Sequence, residues 1–206
     1  MQCITVVMHV LASIEIALAG PPYEDDPQYY KHQRVADIVS IPQVLLVKRQ
    51  TAGNVLLPNT RCQAMRRIRR IAENSYLYQI FHSNPDRGNQ MISFTTTLTT
   101  SLTALHRQAN VMAYETVLVT EFKVMFADAR NGCFVLVTKT NDLQKGCRIL
   151  QTPLTVTKPV PMSCLQVYFE NCPTESVEIY DILCRSMIIP LLRAGVRRWP
   201  VNKKAT

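Results

Sequence analysis

Sulfur and arginine are the side chains here whose types and spacing could do chemistry. Cys3 sits in an apolar N-terminal segment; setting it apart leaves an even six, Cys62, Cys133, Cys147, Cys164, Cys172 and Cys184. That count suits a disulfide-stapled extracellular protein. Oxidised sulfur is neither nucleophile nor metal ligand, and no Cys-x-x-Cys pair offers zinc spacing, so no metal is expected. His9, His32, His82 and His106 are scattered, and none joins a serine or cysteine in a recognisable nucleophile motif. The six glycines build no phosphate-cradling loop, so no cofactor and no catalytic residue is expected. Binding, not turnover, is the indicated class.

The net charge of +8 at pH 7 makes the placement of the cations matter. Arg61, Arg66, Arg67, Arg69 and Arg70 form one cluster; Arg193, Arg197, Arg198, Lys203 and Lys204 form another. Neither is interleaved with the aromatics of a base-stacking surface, so nucleic acid is not an expected partner. A solvated strand face and a loose basic tail over 191–206 account for them. The alternative is contact with a heparin-like polyanion or a membrane surface.

Residues 4–18 are apolar enough for a signal core, and Ala17-Leu18-Ala19 before Gly20 has the small-x-small form of a cleavage site. Residues 1–19 are therefore expected to be removed on secretion. Against this, Met1-Gln2-Cys3 lacks a basic residue and His9 and Glu15 interrupt the run. A buried strand or a membrane anchor are the other readings, but a charge in so short a stretch weighs against a bilayer span. No later segment approaches the roughly 20 apolar residues of a membrane helix.

The elements that must position these residues read as mainly β. A Pro-rich acidic lead-in precedes a short helix over Pro27–Ser40, completing a 20–40 segment, with Tyr30, Val35, Ile38 and Val39 near one side. Strand patterns follow at Gln43–Gln50, Ser75–Ser83, Met91–Leu105, Thr116–Phe126 and Phe134–Thr140. In the second of these, Tyr76, Tyr78 and Ile80 alternate with Leu77, Gln79 and Phe81. Asn84-Pro85-Asp86-Arg87-Gly88 and Asp128-Ala129-Arg130-Asn131-Gly132 are hairpin connections by composition. A further strand is expected at Gln166–Phe169 and a helix over Ser176–Leu192. Many strands at short spacing, flanked by helices, make one antiparallel barrel over 41–190.

Particular motifs sharpen this. Phe126-Ala127-Asp128-Ala129-Arg130-Asn131-Gly132-Cys133-Phe134-Val135-Leu136 is followed by Lys145-Gly146-Cys147-Arg148-Ile149-Leu150 and Val160-Pro161-Met162-Ser163-Cys164. Tyr168-Phe169-Glu170-Asn171-Cys172 and Ile179-Tyr180-Asp181-Ile182-Leu183-Cys184 complete the order. Together they resemble the C-terminal half of the tick salivary lipocalins, the histamine-binding family. Upstream, Val44 to Arg49 is similar to that family's first strand, and Cys62 falls early in its second. The resemblance implies an eight-stranded antiparallel lipocalin-like barrel with a short N-terminal helix and a C-terminal helix, hollow enough for a small ligand. It also implies secretion in saliva and capture of host mediators of inflammation and haemostasis. Six cysteines allow many pairings that sequence alone does not choose among. The family arrangement implies Cys62 with Cys184, Cys133 with Cys164 and Cys147 with Cys172.

Amine-binding members of that family carry an Asp directly after the strand Cys and a Glu-Leu-Trp element on the next strand. Here Phe134, Arg148 and Leu150 stand in those places, so these residues are not expected to bind histamine. Ile38 to Ala72 and Arg87 to Tyr114 contain no Asp or Glu, so an ammonium would find few partners on the barrel wall. Arg148, if it points inward, offers a donor fork for a carboxylate among Tyr78, Phe81, Phe126, Phe134 and Leu150. The expected partner is a small amphipathic host mediator, an eicosanoid or fatty acid ahead of a biogenic amine, bound by a monomer. An outward Arg148 and aromatics that merely fill the core are the alternatives. So is a surface-acting protein that uses its basic patches on a host protein or polyanion.

Overall fold

The computed structural model describes residues 20–87, 90–115, 119–140 and 144–193. The expected signal segment and nearly all of the basic tail lie outside these residues. Two 3-10 turns, Tyr23–Asp25 and Pro27–His32, lead into a four-residue helix α1, Ala36–Val39. The single helix expected over Pro27–Ser40 is therefore broken. Val35, Ile38 and Val39 nevertheless share one buried side, packed into the barrel interior.

Eight strands form the barrel: β1 Leu45–Thr51, β2 Ala64–Ala72, β3 Ser75–Ser83, β4 Met91–Ser101, β5 Val111–Glu115, β6 Val119–Asp128, β7 Cys133–Lys139 and β8 Lys145–Gln151. Each pairs antiparallel with the next, β8 pairs β1, and β1 closes on β2, so the sheet closes on itself, with β2 from Arg66 onward paired to β3 alone. The closure is short: only Leu45 opposite Met65 and Leu46 opposite Ala64. Above them β1 pairs instead with a ninth strand, β9, Ser176–Glu178.

The hairpin expected around Asp128 to Gly132 joins β6 to β7. Asp128 carboxylate oxygens accept from the Asn131 backbone N–H at 3.0 Å and its amide at 2.7 Å. Gly132 has φ 62°, and a Cβ there would stand 2.6 Å from Thr152 Oγ1. That turn and α1 mark the closed end of the barrel, and the β1–β2 connection lies at the other end.

Helix α2, Met162–Asn171, covers the outer face of β6 to β8, and helix α3, Ile182–Arg193, covers β1 to β3. The strand expected at Gln166–Phe169 is thus helical; its buried Cys164, Val167 and Tyr168 follow the three- and four-residue spacing of a helix face. The expected Ser176–Leu192 helix is divided, β9 first and α3 only from Ile182. Asp181 sets that start: its Oδ1 accepts from the Leu183 N–H at 2.7 Å and the Cys184 N–H at 3.3 Å. Disulfides Cys133–Cys164 and Cys147–Cys172 pin α2 to β7 and β8, and Cys62–Cys184 pins α3 to the segment before β2. This is the connectivity that the resemblance implies.

Candidate functional site

The barrel encloses a cavity of 310 Å³, large enough for a small ligand. Val47 of β1, Ile80 of β3, Met112 and Tyr114 of β5, Phe122 of β6, Leu136 of β7 and Leu150 of β8 supply most of an apolar wall. Period-two alternation explains the set, because residues two apart on a strand face the same side.

Arg148 is the cation of this wall. Leu136, Arg148 and Gln50 are cross-strand partners, so Arg148 shares the inward face of Leu136, and it is only 7 % exposed. Its guanidinium carbon lies 5.2 Å from the centre of the Phe122 ring, which stacks on Tyr114 at 5.9 Å. Its Nε and Nη2 are buried without a hydrogen-bond partner, and no ion pair among the described residues includes it. Burial pulls its pKa below the ordinary guanidinium value, and the Tyr114 side chain opposes that fall. Arginine nonetheless stays protonated in proteins. The cavity therefore holds a positive charge that no carboxylate among the described residues neutralises.

The other candidates divide. Leu150 lines the cavity. Phe81 touches it, yet packs in the cluster beneath α3 with Cys62 and Cys184. Tyr78 and Phe134 belong to the interior core beside α1 and are absent from the cavity wall. Phe126 departs from expectation most. A bulge between Val124 and Phe126 turns the strand over, so Val124 stays inside while Phe126 packs outside among the residues under α2, against the His32 ring at 5.1 Å. Tyr114 and Phe122 were not singled out from the sequence. Counting alternate residues back from Val124 along β6, and from Tyr114 to Met112 along β5, is the signal that finds them.

The engaged arginines of the first basic cluster are also placed. Arg66 donates to the Leu192 carbonyl and to Gln79, Arg67 to the Val39 carbonyl, Arg70 to the Ala72 and Glu73 carbonyls, and Arg61 pairs with Asp181. The set Cys62, Asp181 and Cys184 brings three residues of metal-ligating type together, but both sulfurs are spent in a disulfide. No helix among the described residues is long and apolar enough to cross a membrane.

A closed antiparallel eight-stranded barrel around a ligand-sized cavity is a lipocalin-like fold. The family model described as tick histamine binding protein matches residues 23–186, and the chain belongs to that family. Among solved structures it is similar to AM182 in its serotonin complex, with a TM-score of 0.55 at 14% identity over 73% of this chain and 92% of that one. It is likewise similar to apocrustacyanin C2, TM-score 0.54 at 11% identity over 76% and 86%. Japanin from Rhipicephalus appendiculatus bound to cholesterol gives 0.49 at 10% identity over 70% and 96%. At these identities the first two speak for the fold alone. Comparison with curated protein sequences gives no match.

Proposed function

We propose that this protein is secreted in tick saliva and removes a small amphipathic host mediator by binding it in the barrel, dampening inflammatory or haemostatic defence. The preferred ligand is a carboxylate-bearing lipid, a fatty acid or eicosanoid, ahead of histamine. One observation carries this reading: the buried guanidinium of Arg148, unmatched by any described carboxylate, on an otherwise apolar wall. A carboxylate would accept from its free donors and offset its charge. An ammonium would set a second cation beside the first. Serotonin is bound by AM182, so amine capture is the competing reading for the same cavity. Removal of the mediator is stoichiometric and needs no turnover, so slow release sets potency.

The test is native mass spectrometry of the secreted protein with histamine, serotonin, fatty acids, leukotrienes and thromboxane analogues, repeated with Arg148→Gln. The anionic lipids should form the tighter complexes and lose at least about tenfold in affinity in the variant, the scale of one charged hydrogen bond. A histamine complex tighter than every lipid overturns the proposal. The surface-acting alternative would use the first basic cluster, where Arg61 is paired with Asp181 while Arg66, Arg67 and Arg70 donate to neutral carbonyls and keep their charge; binding that weakens steeply with salt would favour it.

A further inference from the structure

Polar atoms that a plain fatty acid would leave unmatched gather where β1 gives way to its connection to β2. Gln50 stands opposite Arg148 in the β1–β8 register, and Asn54 lies on the connection between β1 and β2. Backbone partners orient both amides. Gln50 Nε2 donates to the Pro58 carbonyl at 3.0 Å, which makes Oε1 the free end. Asn54 Oδ1 accepts from the Leu56 N–H at 3.0 Å, which leaves Nδ2 free. Both free ends are buried without a partner, as are Arg148 Nε and Nη2, and the residues themselves are 1 % and 7 % exposed. Native proteins leave few buried polar atoms unpaired, and several on neighbouring residues call for a partner, water or ligand, that the chain itself does not supply.

Space accompanies them. Gln50, Asn54 and Pro58 line a second hollow of 440 Å³, and Pro58 also lines the main cavity, where Arg148 stands. Gly146, two residues before Arg148 on β8, admits the Asn54 amide: a Cβ at Gly146 would stand 2.7 Å from both Asn54 Cγ and Nδ2.

We infer that the junction of the two hollows, where Gln50 faces Arg148 across the β1–β8 ladder, is a head-group subsite for a hydroxylated acid. The carboxylate lies on Arg148, and a hydroxyl close to it donates to Gln50 Oε1 and accepts from Asn54 Nδ2. A hydroxyl does both, whereas an ionised fatty acid only accepts and an ammonium only donates. This specificity rests on the reading that Arg148 holds an anion, and deepens it.

The full chain is titrated calorimetrically with dodecanoic acid and with its β-hydroxy analogue. The hydroxy acid should bind about tenfold more tightly, the scale of a satisfied buried pair of polar groups. Gln50→Met and Gly146→Ala should each bring the affinity ratio of the two acids to about one. Gly146→Ala leaves the Gln50 side chain untouched, so it carries the test if Gln50→Met does not fold, and thermal melting establishes folding of both. Equal affinities in the unaltered protein would mean that water fills the junction; that overturns this inference and leaves the anion reading standing. Failure of both acids to bind overturns the two together.

Discussion

At Arg148 a guanidinium disfavoured by burial is held against the Phe122 ring with two donors unmatched. Replacing such a group by an apolar one of similar length removes a desolvation penalty while keeping the packing. Arg148→Met should therefore raise the unfolding free energy of the empty protein by about 1–2 kcal/mol in a denaturant titration, net of the lost cation–π contact. The same variant should lose its anionic ligand. A destabilised variant would mean that Arg148 is a structural group. Its residue type was legible in the sequence as a carboxylate partner, but its direction was not, because a strand residue faces in or out by register, and register is fixed by partners far along the chain. Phe126 shows the limit clearly. Alternation from Phe122 through Val124 extends inward to Phe126, and one inserted residue at the bulge reverses it.

At the scale of elements, the segment before β1 is fastened to the barrel by charge. Glu24, fully buried, lies 3.0 Å from Lys139 Nζ and 3.1 Å from Lys145 Nζ, and Asp25 lies 2.7 Å from Lys123 Nζ. Burial pushes the Glu24 carboxyl up, but its backbone hydrogen bond and the two lysines outweigh that and hold its pKa below the ordinary value. Glu24→Gln should cost about 2–3 kcal/mol and expose this segment to limited proteolysis. Lower down, His106 Nε2 lies 2.7 Å from Gln33 Oε1 of the same segment. Burial lowers the His106 pKa below 6.5, a fall that Asp25 opposes and Lys123 reinforces. The unfolded imidazole thus takes up its proton first, so this contribution to stability is present above the unfolded pKa and is lost as pH falls through the folded one. Thermal melts from about pH 7 to about pH 5 should show a smaller drop in His106→Gln than in the unaltered protein. None of this docking was visible in the sequence, where Glu24 and Asp25 were simply part of an acidic lead-in.

For the molecule as a whole, the barrel was legible because alternation, turn residues and cysteine order all point one way. The helical state of Gln166 to Phe169 was missed because four apolar-rich residues carry too little period to separate a strand from a helix. The Cys62–Cys184 bond joins positions 122 apart, so the chain-entropy estimate for it is about 4–5 kcal/mol. Replacing both cysteines by serine should lower stability by roughly that amount in guanidinium titration and loosen α3, while reduction of all three bonds should cost more. Secretion predicts a mature protein whose N-terminal sequencing begins at Gly20; a start at Met1 would refute removal of residues 1–19.

The two-residue seam between β1 and β2 gives the cylinder one place where it can part lengthwise without tearing a long ladder. Amide exchange with deuterated water should run faster there, at Met65, than at Met112 or Val135. The sulfur bridge beside that seam would act as the catch that limits how wide it swings.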